Sequence, residues 1–238
     1  MPIQTVETQR LYQQVAGQLG ELIRQGEFPP GHRLPPERDL ARQLGVSRPT
    51  VREAMIALEI AGLVEVRTGS GAYVRDAAPP FASSDIGPSP FDLIAARMLV
   101  EPEVAAMAAA NASDADLAGI AEVAELMRRG VAAGRATRAE DRLFHVRIAA
   151  ATGNSVVAAM VERLWDDSDE PIFAELSRRA GLPENQRVSV VEHDVILDAL
   201  RLRDARAARD AMRDHLLGVQ RIMMAEEWPS SEQREIES

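Results

Sequence analysis

The sequence contains no cysteine and no lysine. The first absence excludes disulfides, thiolate zinc sites and cysteine nucleophiles, and leaves His, Asp and Glu as the side chains able to hold a metal ion. The second makes every basic side chain an arginine and removes Schiff-base and P-loop chemistry, both of which need an amine. Also missing is any apolar run long enough for a signal peptide or a membrane span, and the first residues are polar. A soluble, cytoplasmic chain with no membrane partner is predicted. An overall excess of basic charge is lacking too, since the net charge is -10, a sign that repels phosphate. The distribution matters more than the sum. Residues 1–78 hold nine Arg against nine Asp plus Glu, and the stretch from Arg33 to Arg52 holds five Arg against only Glu37 and Asp39. That asymmetry suits a local basic reading surface on a body otherwise kept off nucleic acid. A length of 238 residues with 46% hydrophobic content allows two compact domains or one large one.

Leu11 to Gln25 is apolar at Leu11, Val15, Leu19, Leu22 and Ile23, the spacing of one helical face. Pro29-Pro30-Gly31 stops that helix, a short one fits Pro36 to Leu44, Gly45 supplies a turn, and Ser47 caps a third that runs to about Ile60. Gly62 ends it. Leu63 to Arg67 and Ala72 to Arg75 alternate like short strands around a hairpin tip at Thr68-Gly69-Ser70-Gly71. Three helices followed by a hairpin is the order of a winged helix-turn-helix. From Ala77 to Pro90 the composition shifts to Pro, Ala, Ser and Gly without periodicity, as in a linker. Beyond it come helical patterns at about Phe91 to Asn111, Asp114 to Ala133, Arg138 to Ala151, Ser155 to Arg179, Glu184 to Arg203 and Ala205 to Glu226. Thr137 to Glu140 reads as a capping box, Ser113, Asn154 and Asp204 as N-caps, and Pro171 as a kink or break. The expected architecture is mainly α: a winged helix-turn-helix over residues 1–76, a linker at 77–90, an all-α antiparallel bundle of six or seven helices over 91–228, and a polar tail at 229–238.

Arg48 and Arg52 are four apart at the start of the third helix, hence on one face and near the end that enters a major groove. Arginine is the side chain best shaped to take O6 and N7 of guanine together. Ser47 and Thr50 place hydroxyls at the same helix start, where they suit phosphate. Arg38 on the preceding helix reaches the same groove or its backbone, and Thr68, Gly69 and Ser70 are small enough for a wing to approach a minor groove. Singly, each of these Arg residues reads as part of a solvated face. Together, Pro29 to Ala41, Gly45 to Ala54 and Gly62-Leu63-Val64 closely resemble the head of the GntR family of bacterial regulators, over nearly all of residues 8–75. The resemblance implies double-stranded operator DNA as a partner, contacted by Arg38, Arg48, Thr50, Arg52 and Gly69. Ser70 departs from it where some relatives carry a basic wing residue.

Asp141 and His145, four apart, project from one helical face, while His193 and His215 lie on the last two long helices, folded together by a turn at Arg203-Asp204. Three imidazoles and one carboxylate suit a divalent transition metal, zinc first and nickel, manganese or iron otherwise, and leave a net charge near +1 with an open position attractive to a carboxylate. Isolated His residues in helices are usually ordinary surface or core groups, so the set by itself is only suggestive. Its surroundings add to it. Arg97 to Pro102, Asp141 to His145, Gly153-Asn154, Glu192-His193 and Met212 to Leu216 resemble the FCD effector domain of the FadR-type branch of the same family. That likeness implies Asp141, His145, His193 and His215 as metal ligands, with Arg97 and Asn154 on a small carboxylate effector. Ala151 to Ser155 and Leu164-Trp165, with Pro171 after them, are similar to regulators of hexuronate and related sugar-acid catabolism, with lactate, gluconate-like and dicarboxylic acids left open as effectors. A repressor that dimerises through its helical domain and reads a short palindrome follows from this reading. Two alternatives stay open: a metal-dependent enzyme acting on a small acid, for which no general base stands out beside the ligands, and a regulator whose helical domain only dimerises.

Overall fold

The computed structural model describes residues 10–67, 70–76, 87–180 and 183–225. The chain divides into two units, one reaching Ser89 and the other spanning Pro90–Ala225.

The first unit comprises α1 (Leu11–Arg24), α2 (Glu37–Leu44), α3 (Arg48–Ile60), β1 (Val64–Arg67) and β2 (Gly71–Val74). The strands pair antiparallel with Val64 opposite Val74 and Arg67 opposite Gly71. Helix α1 buries Val15, Leu19 and Ile23 of the expected face, but Tyr12 and Ala16 complete it while Leu11 is exposed. Tyr12 can take the inner place because its hydroxyl donates to the Gly87 carbonyl at 2.8 Å, which satisfies the polar end of a buried ring. Pro36 stands just outside α2 as its N-cap, and Gly45, in the left-handed region at φ 68°, closes the helix for the tight turn into α3. Ser47 opens α3 by accepting the Thr50 N–H at 3.2 Å. The stretch after Gly31 runs beside β2, with the Leu34 N–H donating to Ala72 at 2.8 Å and the Val74 N–H to His32 at 3.0 Å. Glu59 accepts the Val66 N–H at 2.9 Å and so ties the wing to α3. Thr68 and Gly69, expected at the wing tip, lie outside the described residues, as does most of the expected linker.

The second unit is built from α4 (Pro90–Asn111), α5 (Asp114–Ala132), α6 (Arg138–Ala150), α7 (Ser155–Asp167), α8 (Pro171–Ala180), α9 (Pro183–Arg201) and α10 (Ala205–Ala225). The pattern from Ser155 to Arg179 is two helices, because Pro171 opens α8, where its missing N–H costs nothing, instead of sitting in a helix interior. Pro102 does lie inside α4, and it withholds the N–H that would bond the Met98 carbonyl. Ser113 forms a reciprocal cap with Asp116, and Asp204 Oδ1 accepts the Ala207 N–H at 2.9 Å. Thr137 forms no capping bond; it is buried, and a Cβ placed on Gly130 would fall 2.6 Å from its methyl, so it fills space between α5 and α6 instead. Arg203 turns the chain between α9 and α10 at φ 57°, held there by the Ala112 carbonyl and by Asp114 at 3.2 Å. Phe144, Ile148, Ile196, Leu200 and Leu216 share one core with the Ala-rich face of α4, whose small side chains let α10 pack alongside it.

Candidate metal centre and DNA-binding head

Four side chains from α6, α9 and α10 converge at the centre of the bundle. One donor atom each from Asp141, His145, His193 and His215 lies within 4.8 Å of all the others. Asp141 Oδ1 is 3.2 Å from His193 Nε2 and 3.6 Å from His145 Nε2, and those two nitrogens are 3.3 Å apart. The three rings are buried and Asp141 is partly exposed. On the far side of His145, Nδ1 lies 2.5 Å from Glu101 Oε2. Burial would raise the Glu101 carboxyl, but Arg97 and His145 reverse this and bring it down to about 2. An ionised carboxylate only accepts, so His145 Nδ1 carries a proton; burial opposes a charge on this ring, but Glu101 and Asp141 overcome that and raise its pKa, and a metal ion at Nε2 would displace the second proton and take that nitrogen's lone pair. His215 Nδ1 meets Glu192 Oε2 at 2.9 Å. Burial pushes Glu192 up to about 7, and a cation at the opposite nitrogen of His215 would favour its carboxylate form.

Asp141 Oδ1 is buried without a hydrogen-bond donor among the described residues. Burial would lift its pKa, yet His145 and His193 overcome that and hold it well below the usual carboxylate range. Burial pushes His193 below its ordinary value, and burial together with the His193 and His145 rings pushes His215 well below. Both rings are thus neutral at pH 7, the form in which an imidazole donates to a metal. A crowd of acceptors with outer carboxylates orienting their rings fits a transition metal ion.

Glu101 has no role assigned by the sequence, and it changes the part expected of Arg97. Arg97 is buried with its Nε 2.6 Å from Glu101 Oε1, and its guanidinium lies 4.0 Å above the Trp165 ring. Its charge is therefore already matched within α4, and through Glu101 it bears on His145. A cavity of about 470 Å³ opens beside the cluster, with Asp141, His215, Arg97 and Trp165 on its wall. Asn154, expected at the effector, is elsewhere: its Oδ1 accepts the Val156 and Val157 N–H groups at 3.1 and 3.3 Å to cap α7, and it does not line the cavity. Gly218 serves the centre unannounced, since a Cβ there would lie 2.8 Å from Glu192 Oε1.

In the head, the side chains of Arg38 and Arg48 are 83% and 44% exposed. Ser47 Oγ and Thr50 Oγ1 are 2.8 Å apart at the start of α3, so one hydroxyl proton serves that bond and the other is left for an outside acceptor. Arg52 departs from expectation. It is buried and grips Glu37 with two bonds, Nε to Oε1 at 3.0 Å and Nη2 to Oε2 at 2.9 Å. Helical spacing does put Arg52 in line with Arg48, but the start of α2 covers that line, and Arg48 remains 4.0 Å from the same carboxylate at its edge. Arg52 joins α2 to α3 rather than facing solvent.

Comparison with known proteins agrees with both units. Residues 11–74 match the bacterial regulatory proteins of the gntR family, and residues 92–218 match the FCD domain. The Uxu operon transcriptional regulator of Escherichia coli K12 is 37% identical over 91% of this chain and 88% of its own length. The Exu regulon transcriptional regulator of the same strain is 37% identical over 90% and 84%. The HTH-type transcriptional repressor NanR of Citrobacter rodentium is 30% identical over 88% and 84%. Among solved structures, E. coli McbR/YncC shares the fold at a TM-score of 0.52, with 23% identity over 92% of this chain and 99% of that one. The Uxu, Exu and NanR relatives are transcription regulators. The chain belongs to the GntR family of bacterial transcription regulators, in the form that carries an FCD domain after its winged helix-turn-helix head.

Proposed function

We propose that this regulator is a repressor of a catabolic operon, released from its operator when a small sugar acid or hydroxy acid enters a metal-containing pocket of the Pro90–Ala225 unit. The observation that carries the reading is the convergence of Asp141, His145, His193 and His215, two of which, Asp141 and His215, line a cavity large enough for a metabolite. A divalent ion bound by these four would supply a net charge near +1 and an open position for a carboxylate oxygen. Zinc suits the donor set first, ahead of nickel, manganese and iron. The names of the relatives, regulators of the Uxu operon and Exu regulon and a repressor, support the assignment. A carboxylate placed between α6, α9 and α10 touches three helices and favours whichever packing of them it fits best. A homodimer with two heads reads a palindrome, so a packing that misplaces the heads releases DNA. Operator affinity of the metal-loaded protein, titrated with small carboxylates, is the test: weakening by one of them supports release, and tightening by every acid that binds overturns it.

On the head, Arg38, Ser47, Arg48 and Thr50 form the exposed reading face. Arg48→Ala is expected to weaken operator binding by about 1–3 kcal/mol while leaving the fold intact, as loss of a bidentate guanine contact does. Titration against operator and random DNA separates a base contact, lost on operator alone, from a phosphate contact, lost equally on both.

In the bundle, Glu101→Gln should lower metal affinity by roughly 10–100-fold, because an amide has one acceptor oxygen for the two donors Arg97 and His145 Nδ1 and leaves Arg97 without its counter-charge. Competition with a chromophoric chelator reads this directly. An unchanged affinity would reduce Glu101 to a partner of Arg97 only.

A further inference from the structure

The small sheet of the head has two faces of different chemistry. Residues 31–34 run along the free edge of β2 as a third, short strand, with Arg33 bridged antiparallel to Tyr73. Inward, Leu34, Val64, Ala72 and Val74 are buried. Directly opposed residues of antiparallel strands share a face, as do residues two apart on one strand. Glu65 is opposite Tyr73, so Arg33, Glu65, Arg67, Tyr73 and Arg75 stand together on the outer face. These five positions hold three cations and one carboxylate. Glu65 is bonded by Arg67 at 3.2 Å, and the Arg67 guanidinium lies 4.5 Å above the Tyr73 ring. Arg33 and Arg75 form no ion pair or side-chain hydrogen bond among the described residues, although the unit's other carboxylates Glu21, Asp39 and Glu37 each hold an arginine, namely Arg24, Arg42 and Arg52. The backbone fixes both unmatched cations in place: the Gly31 N–H donates to Val74 at 2.9 Å and the Leu34 N–H to Ala72 at 2.8 Å on either side of Arg33, and the Arg75 N–H donates to Leu63 at 3.0 Å.

We infer that this outer face is a second DNA contact of the head, apart from α3 and the hairpin tip, on which Arg33 and Arg75 hold the sugar-phosphate backbone beside the half-site. The hairpin tip, Thr68-Gly69-Ser70-Gly71, carries no basic side chain, and Ser70 Oγ is turned to the Tyr73 hydroxyl at 2.8 Å. The charge of the wing therefore sits on its strands. Through the bond from Val66 N–H to Glu59, the sheet is fixed to α3, so a duplex read by α3 is the polyanion at hand. Contacts of this kind position the protein without reading sequence, and they draw their strength from release of the counterions that surround DNA.

The probe is a random-sequence duplex of about 40 base pairs, titrated with the full chain by fluorescence anisotropy between about 50 and 200 mM salt. Arg33→Gln/Arg75→Gln should weaken binding about tenfold at the low-salt end and flatten the slope of log affinity against log salt by about 2 per bound chain. Arg33→Lys/Arg75→Lys should keep both near wild type, because a phosphate also accepts a point charge. Arg201→Gln/Arg206→Gln makes the same change in net charge on exposed residues of the bundle and should move the slope by less than about half as much. A glutamine pair that binds like wild type overturns the inference and leaves the face to an acidic protein partner or to solvent. A glutamine pair no weaker than the bundle control reduces the effect to overall charge, and a lysine pair as weak as the glutamine pair reduces it to folding of the wing. Either result overturns the contact, as does a wild-type chain with no affinity for the random duplex.

Discussion

His193→Ala and His215→Ala are each expected to keep operator binding and lose the response to effector. A four-ligand zinc site contributes roughly 10–16 kcal/mol of apparent binding energy, so one ligand in four is about 3 kcal/mol, or about two orders of magnitude in metal affinity. The loss falls on the bundle, because the ligands stand on α6, α9 and α10 and none lies in the first unit. Chelation of the wild-type protein should act in the same direction on stability. An ion present at about 1,000 times its dissociation constant stabilises the folded form by ~4 kcal/mol, which for a unit of this size is on the order of 10 °C in Tm. The measurements are metal content of the purified variants, thermal unfolding with and without chelator, and operator affinity with and without an inducing acid. Variants shown to be metal-free that still respond like wild type would make the cluster structural or incidental, and the proposed switch would fail.

The parts of this centre were unequally visible in the sequence. Asp141 and His145 are an i, i+4 pair, and a period of 3.6 is enough to put them on one face. His193 and His215 needed the packing of α9 on α10, which the short turn at Arg203 made readable. Glu101 lies 44 residues before His145, and only the placement of α4 against α6 brings them together. A weak signal existed: Arg97 and Glu101 are opposite charges four apart, with only apolar residues between them and back to Leu93, the spacing of a helical ion pair. Glu192 offered less, because its contact with His215 depends on the missing side chain of Gly218 on the next helix. Asn154 shows the opposite error. Its position before a helix identifies it as a cap, and a side-chain oxygen occupied by two backbone N–H groups has little left for a ligand. In the head the order of three helices and a hairpin follows from turn residues and period alone, whereas the inward turn of Tyr12 in place of Leu11 depends on a hydrogen bond to distant Gly87.

Arg52 gives the second large effect, and it concerns stability rather than recognition. Its guanidinium and the Glu37 carboxylate are 8% and 5% exposed and share two hydrogen bonds. Removing one member of such a pair strands the other in a poor solvent, at a cost of about 3–5 kcal/mol. A winged helix of some 65 residues has a total stability of only roughly 3–10 kcal/mol at 0.05–0.15 kcal/mol per residue. Arg52→Ala should therefore unfold much of the head at 37 °C, and DNA binding should fall on operator and random sequence alike. Loss of binding by itself would then be misread as loss of a base contact. The paired replacement Glu37→Leu/Arg52→Met separates the two explanations, because an apolar pair of similar volume is neutral or stabilising where an ion pair was buried. We expect urea unfolding of the double variant to show the head transition at or above its wild-type midpoint, with operator preference over random DNA kept within a few-fold. Arg48→Ala should behave inversely, with a wild-type transition and a selective loss on operator. A double variant that is stable yet no longer distinguishes operator from random DNA would return Arg52 to the reading face and make its bond with Glu37 a resting state of the unbound head.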